Sequence, residues 1–467
     1  MKQINKDILK LALPSILANI TVPIVGMVDI AVAGHLTVSG NTAATLIGGI
    51  TIGTMLLDLL YWNFFFLRVS AGGMTAQAYG RGDWKECARI FSRAVGIAIG
   101  IALVLLAFQW IFIRLAFMAV DCTPEVAALA RKYFFIRIWA APATLSLMSF
   151  KGWFIGMQDS VSSMITDLVV NVVNIVMSII LAIGINFGPF HYDGMGYAGI
   201  AAGTVIAQYS GLLVAALIVW LKYSRKVFDG FTRRDLTELF KGGETKKFFV
   251  MNADLLVRSV CFIGIYIGFT SLSAHYGDLI LASCSILMKI LMIFSYFTDG
   301  FAYAGEALAG KYIGARDVPM LRQSVRWTFV WSMALAAVFM VVYAFGGRWL
   351  VEIMTSDADV IDMVMRFIPW LLAMPLVGCA AFTWDGIFIG ATASKDLRNT
   401  MLWATVGFFG LFFAGKAVLG TFHLNAEEYN IAVVHILMAA YFMHLVARTV
   451  YMSSKYKSSV LSAVHVE

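Results

Sequence analysis

A chain of 467 residues that is 60% hydrophobic and only 13% charged, with a mean hydropathy of +0.81, falls outside soluble globular proteins and among polytopic membrane proteins. Its formal charge of +7 does not indicate a nucleic-acid partner, which would need a basic face with interleaved aromatics on a soluble domain. The sequence contains no HExxH, Walker A or GxSxG pattern, so it gives no support to an enzyme.

Segments able to cross about 30 Å of hydrocarbon, at roughly 20 apolar residues each, number about twelve. They begin near residues 11, 46, 94, 132, 164, 196, 249, 280, 328, 364, 399 and 430. Lipid leaves no water to satisfy backbone groups, and no barrel-like alternation recurs, so the spans are expected to be helices and the fold all-α. The amino-terminal stretch MKQINKDILKLALPS has a basic start but no small-residue cleavage site, and reads as the first span.

Within that span the run IVGMVDIAVAGHL holds one carboxylate, Asp29, six residues after Pro23. A mid-span carboxylate costs about 2.5–3.5 kcal/mol on the insertion scale and tends to be functional. Pro23 lacks a backbone N–H and can hinge the helix beside it. Asp29 is therefore the leading proton or cation site, against the alternative of a structural hydrogen-bonded pair. The fifth span presents Asn171, Asn174 and Ser178 on one face, and the sixth Thr204 and Gln208 one turn apart. These either glue helices together or supply neutral oxygens around Asp29, with sodium as a possible occupant at Asp29, Asn174 and Thr204. GMGYAG at 194–199 has no preceding strand and reads as a turn and a tightly packed helix start, not a dinucleotide site.

The second half carries Arg258, Lys289, Asp299, Glu306, Asp385 and Lys416 within or near its spans. Some of these are expected to neutralise one another, and Asp299 and Glu306, seven apart, share one helix face. His435 and His444 lack metal-ligand companions, and Cys87, Cys122, Cys261, Cys284 and Cys379 have no CxxC spacing, so no metal site, disulfide framework or cofactor is indicated.

Basic residues fall at alternate connections: Lys2, Lys6 and Lys10; Arg81, Lys85, Arg89 and Arg93; Lys222, Arg225, Lys226, Arg233, Arg234, Lys241, Lys246 and Lys247; Lys311, Arg316, Arg322 and Arg326; Lys395 and Arg398; Lys455 and Lys457. The opposite loops carry Asp121, Glu125, Asp193, Asp357, Asp359, Glu427 and Glu428, with Arg114, Arg131, Lys132 and Arg348 as exceptions. By the positive-inside rule both termini face the cytoplasm.

A repeat underlies this order. AYGRGDWKECAR at 78–89 matches YIGARDVPMLRQ at 312–323, placing Gly80 on Gly314 and Asp83 on Asp317, and Phe154, Ile155 and Gly156 match Phe388, Ile389 and Gly390 at the same shift of 234. Pro142 and Pro375 nearly align. The chain is expected to comprise an amino-terminal lobe (1–221), a basic linker (222–248) and a carboxy-terminal lobe (249–467), two parallel six-span repeats with a substrate site between them.

TVPIVGMVDIAVAGHL, FLRVSAGGMTAQAYG, NVVNIVMSIIL, AGIAAGTVIAQY, ADLLVRS, DGFAYAGEALAGKYIGARD and WDGIFIGATAS together resemble the multidrug and toxic compound extrusion (MATE) family, in its bacterial DinF-like branch. The likeness runs nearly end to end. It implies a two-lobed, twelve-helix antiporter of the cytoplasmic membrane, monomeric, exporting amphiphilic and often cationic compounds in exchange for protons or sodium. By motif, Asp29 matches the family's first-helix carboxylate, Asn174 its fifth-helix asparagine and Thr204 its sixth-helix threonine; Arg258, Asp299, Glu306 and Asp385 match second-lobe residues. One departure is Ser178: many relatives, including typical members of this branch, carry aspartate there, in a NIVLD pattern that reads NIVMS here, which weakens a sodium site and leaves proton coupling through Asp29. Two alternatives remain at this level. A lipid-linked saccharide flippase of the same superfamily is expected to have a strongly basic cavity, and a non-transporting scaffold would not carry so many mid-span charges.

Overall fold

The computed structural model describes residues 2–36, 42–120, 122–187, 190–231, 235, 239 and 243–465. Asp121, Arg233, Arg234 and Lys241, which figure in the charge asymmetry, lie outside them. Helices are α1 (Lys2–His35), α2 (Ala43–Trp62), α3 (Phe66–Arg81), α4 (Trp84–Ala119), α5 (Pro124–Arg137), α6 (Ala141–Gly156), α7 (Ser160–Ile183) and α8 (Tyr197–Val227) in the first half of the chain. The second half supplies α9 (Gly243–Ala274), α10 (Asp278–Gly314), α11 (Val318–Met354), α12 (Ala358–Arg366), α13 (Ile368–Gly390), α14 (Ser394–Leu419) and α15 (Ala426–Lys455). Among the described residues, twelve segments are long and apolar enough to span a membrane, α2–α3 and α5–α6 each counting as one interrupted span.

Two features depart from the sequence reading. Helices begin several residues before the apolar runs, as in α4 and α11, because Asp83 and Asp317 cap their amino termini by accepting from Glu86 N and Met320 N and so carry the helix beyond the hydrocarbon. In addition, contrary to the expectation that no strand precedes the GMGYAG run, a short antiparallel hairpin, β1 (Ile185–Phe187) and β2 (Phe190–Tyr192), follows α7 and leads into it, though with no βαβ unit around it. The glycines of the GMGYAG run build its exit: Gly194 and Gly196 take φ of +78° and +57°, and a Cβ on Gly199 would lie 2.2 Å from the Leu181 carbonyl oxygen. Only a residue without a side chain permits that approach of α8 to α7.

Contacts divide the chain into two compact units, Leu17–Lys246 and Met1–Ile16 with Lys247–Glu467. The first turns of α1, up to Ile16, thus belong to the second unit, where a Cβ on Gly300 of α10 would meet Ile16 and the Ala12 carbonyl. The repeat seen in the sequence recurs in local geometry. Gly152 of α6 lies against the Arg68 carbonyl of α3, and Gly386 of α13 lies against the Ala302 carbonyl of α10; a Cβ at either would come within 2.0 Å of the oxygen. Gly156 and Gly390 repeat the contact one turn on, against Gly72 and Glu306. Even the left-handed residues correspond, Gly82 with Arg316 and Gln158 with Thr392, all at positive φ.

The connection between the units is held to the first unit at its described points. Asp235 accepts from Arg89 at 2.9 Å and pairs with Lys85 at 3.0 Å, while the Leu239 carbonyl accepts from buried Arg93.

At the start of α7, Asp159 accepts from Ser162 N and Oγ, Lys222 Nζ at 2.6 Å and Tyr223 Oη at 2.6 Å. Burial opposes the charge, but the bonds from Lys222, Ser162 and Tyr223 outweigh it and hold the carboxyl below its ordinary value of 3.8. A lowered folded value means that the stabilisation is complete above the unfolded pKa and disappears as pH falls through the folded one. Asp159→Asn is therefore expected to cost about 2 kcal/mol at neutral pH. In thermal melts of the detergent-solubilised protein, the gap between wild type and variant should begin to narrow below about pH 4 and close as pH falls through the lower folded value; a constant gap contradicts this account.

Candidate functional site

Asp29 sits in the second half of α1, only 6% exposed, and its Oδ1 meets no hydrogen-bond partner among the described residues. The Ser178 hydroxyl on α7 and the Arg137 guanidinium at the end of α5 both act on its carboxyl electrostatically. Arg137 in turn donates to Thr54 Oγ1 and Tyr133 Oη, each at 3.1 Å, and attracts Asp58 of α2. Tyr61, one turn after Asp58, lines the same cluster. Five helices, α1, α2, α5, α7 and, through the bonds described next, α8, therefore converge on one polar pocket of the first unit.

The neutral residues expected from sequence divide into two groups. Asn174 donates to Thr204 Oγ1 at 2.9 Å, Thr204 donates to the Ile200 carbonyl at 3.3 Å, and Ser178 Oγ lies 3.5 Å from Asn174 Oδ1. All three are buried, and they form a connected chain from α8 through α7 to Asp29. A Cβ on Gly203 would lie 2.6 Å from Ser178 N, so glycine there lets α8 press Thr204 against α7. Asn171 lies one turn away and bonds Thr21 of α1, tying α7 to α1 just before Pro23. The helix runs without interruption through Pro23.

Asp58 and Arg137 were missed in the sequence reading. Each is a single charge in an apolar context, TMLLDLLYW and YFFIRIWA, the same signal that picked out Asp29. They change the electrostatics. Asp29, Asp58 and Arg137 sum to −1 with both carboxylates ionised, and to zero when one proton is taken up. The pocket can hold one cation or one proton at similar charge.

In the second unit, Asp385 of α13 accepts from Arg258 of α9 and Arg448 of α15, each at 2.5 Å. Mutual neutralisation thus occurs, but with two guanidinium groups to one carboxylate. Glu306 is fully buried on α10 and Asp299, two turns earlier, is half-buried. Lys289 and Lys416 are exposed, and Lys416 occupies the last turn of α14 beside Tyr276, so neither belongs to a buried charge cluster. His444 is buried with Nδ1 on the Tyr441 carbonyl, and His435 Nδ1 accepts from Trp370 Nε1 at 3.0 Å, so both histidines are held by local packing.

The family model described as MatE matches residues 14–180 and 255–414, once in each half of the chain. The chain belongs to the MATE family. It is 34% identical over 406 residues to DNA damage-inducible protein F of Escherichia coli K12, covering 86% of this chain and 84% of that protein. Among solved structures, the eukaryotic MATE transporter AtDTX14 superposes with a TM-score of 0.80 at 14% identity, over 99% of this chain and 98% of that one. A MATE solved in a bent conformation superposes with a TM-score of 0.77 at 15% identity, over 98% and 97% of the two chains. These likenesses fix a MATE fold, that of a multi-pass multidrug and toxin extrusion transporter and not of an enzyme class.

In this MATE chain the Ser178 position permits a direct test of cation selectivity. Ser178→Asp would set a second carboxylate beside Asp29, Asn174 and Thr204. Sodium affinity is expected to rise by about tenfold or more, ~1.4 kcal/mol, measured by radiolabelled sodium binding to purified protein. Unchanged sodium binding would show that these oxygens do not converge on a common cation.

Proposed function

We propose that this MATE transporter is a proton-coupled antiporter that expels amphiphilic, largely cationic organic compounds across the bacterial cytoplasmic membrane, as a monomer with both termini in the cytoplasm. The observation that carries the reading is the charge state of the Asp29 pocket. Deprotonated, the Asp29, Asp58 and Arg137 cluster has one excess negative charge and a carboxylate oxygen with no partner among the described residues, which favours a lipophilic cation. Protonated, the cluster is neutral and the attraction is lost. A ligand can shift a conformational equilibrium only by its differential affinity for the two states, and one proton at Asp29 supplies that difference.

Conversion between states is assigned to α1. Its residues are shared by the two units, the division falling at Ile16, shortly before Pro23, and the missing N–H of Pro23 weakens the helix there. Loss of the Asp29 charge would allow the segment after Pro23 to bend, and alternating access would follow. Sodium is the second coupling ion to consider, and the neutral Ser178 disfavours it.

Competition of proton and cargo for one carboxylate predicts proton release on binding. Rhodamine 6G added to purified protein in weakly buffered detergent solution, at a pH low enough that Asp29 is protonated beforehand, should release close to one proton per ligand bound, and none from Asp29→Asn. Binding without proton release in wild type would separate cargo from proton and refute competition at Asp29.

A further inference from the structure

The packing of α2 on α5 places a fixed positive charge in the Asp29 pocket. A Cβ on Gly49 would stand 2.7 Å from Leu129 and one on Gly53 2.7 Å from Tyr133, so these glycines let the two helices close. Beyond that approach, Thr54 and Asp58 lie four apart on α2, and Tyr133 and Arg137 four apart on α5, each pair along one face. Arg137 donates to the Thr54 and Tyr133 hydroxyls, which orient the guanidinium without cancelling its charge. Arg137 is also the charged group that acts on both carboxylates, Asp29 and Asp58. The tyrosines that face it, Tyr61 and Tyr133, are uncharged at neutral pH.

Of the three charged groups, only the guanidinium keeps its charge at every physiological pH. It matches one carboxylate permanently and leaves one negative charge for an exchangeable partner. Charges in a low-dielectric interior act over several ångströms, so a cation held in the pocket responds to the sum without touching Asp58 or Arg137. A monocation brings that sum to zero. A dication would leave one uncompensated positive charge out of water, which is the costly outcome.

We propose that Arg137, together with Asp58, acts as a built-in counter-ion that sets the charge of the cargo, so that one positive charge is accepted and two are rejected. The cargo class is then the monovalent organic cation, and Arg137 and Asp58 determine that specificity. The inference rests on the reading that cationic cargo binds at the Asp29 pocket, and adds the valence of that cargo.

Ethidium and propidium share one phenanthridinium ring system, and propidium carries a second, quaternary ammonium charge. Fluorescence titration of each into purified protein in uncharged detergent, at about pH 8, reads the selection without any gradient. Wild type is expected to bind ethidium about tenfold tighter than propidium, or more. Asp58→Asn brings the sum to zero and keeps the bonds that Arg137 makes to Thr54 and Tyr133, so it should weaken ethidium by about tenfold or more. Arg137→Gln leaves the two carboxylates at −2 and should reverse the order of the dyes. Arg137→Gln combined with Asp58→Asn returns the sum to −1 and should restore the wild-type order, a rescue that a merely structural Arg137 would not give. Equal binding of the two dyes by wild type overturns the inference, as does ethidium binding unmoved in Asp58→Asn, an Arg137→Gln protein that keeps the wild-type order, or a double variant that fails to restore it; in each case Asp29-dependent binding of ethidium still stands. Ethidium binding that is absent from wild type or indifferent to Asp29→Asn overturns the reading of the pocket itself, and the inference with it.

Discussion

Asp29→Asn is expected to fold, insert and lose gradient-driven efflux by a factor of about 100 or more. The substitution keeps the shape of the side chain beside Ser178 while removing the charge. A factor of 100 corresponds to about 2.7 kcal/mol, within the range of a buried charge interacting with its partners. Burying a charge is what makes the effect large: the same change at an exposed carboxylate would be screened by water. Asp29→Glu should retain partial activity, since the carboxylate survives one methylene displaced. Arg137→Gln separates attraction from coupling, because the cluster then sums to −2 and should bind a cation more tightly while releasing it poorly. Ethidium efflux from everted vesicles with matched protein levels reads all three, and robust efflux by Asp29→Asn would remove Asp29 from the coupling step.

The second large effect lies in the scaffold. Gly386→Ala should destabilise the protein by roughly 3 kcal/mol or more, and Gly386→Leu should abolish folded protein. A Cβ there would stand 2.0 Å from the Ala302 carbonyl, far inside contact distance, and helices α10 and α13 cannot separate without disturbing Glu306 and Gly390 one turn on. Gly152→Ala, the counterpart in the first unit, is expected to behave alike against the Arg68 carbonyl. Controls come from Gly100 and Gly346, where an added Cβ meets nothing within 4 Å; alanine at either should be neutral or stabilising, because Gly costs a helix roughly 1 kcal/mol relative to Ala. Melting temperatures by size-exclusion fluorescence distinguish the two classes, and a well-folded Gly386→Ala protein would contradict the close approach.

The parts of this architecture that were legible in the sequence are those set by local physics. Twelve apolar runs, their helical form and the 234-residue repeat follow from the absence of water in lipid and from matched turns such as Asp83 and Asp317. Asp29, Asn174 and Thr204 stood out as single polar residues in apolar runs. What could not be read was direction. Asp58 and Arg137 have the same local signal, and Lys289 and Lys416 lie in equally apolar runs, yet the first two turn into the bundle and the last two do not. That outcome depends on how α2 and α5 pack, a matter of long-range contact. Arg448 was missed for a related reason: it lies near the basic end of α15, where an arginine is unremarkable until Asp385 is found beside it. The interruption of the second span at 63–65 has no proline or glycine to announce it.

Flux of ethidium in proteoliposomes under an imposed pH gradient, then under an imposed sodium gradient at equal pH, tests the central claim most directly. Wild type should transport on the pH gradient alone, gain nothing from sodium, and lose the pH-driven flux in Asp29→Asn. Flux that follows sodium with no response to pH would contradict proton exchange at Asp29 as the driving step.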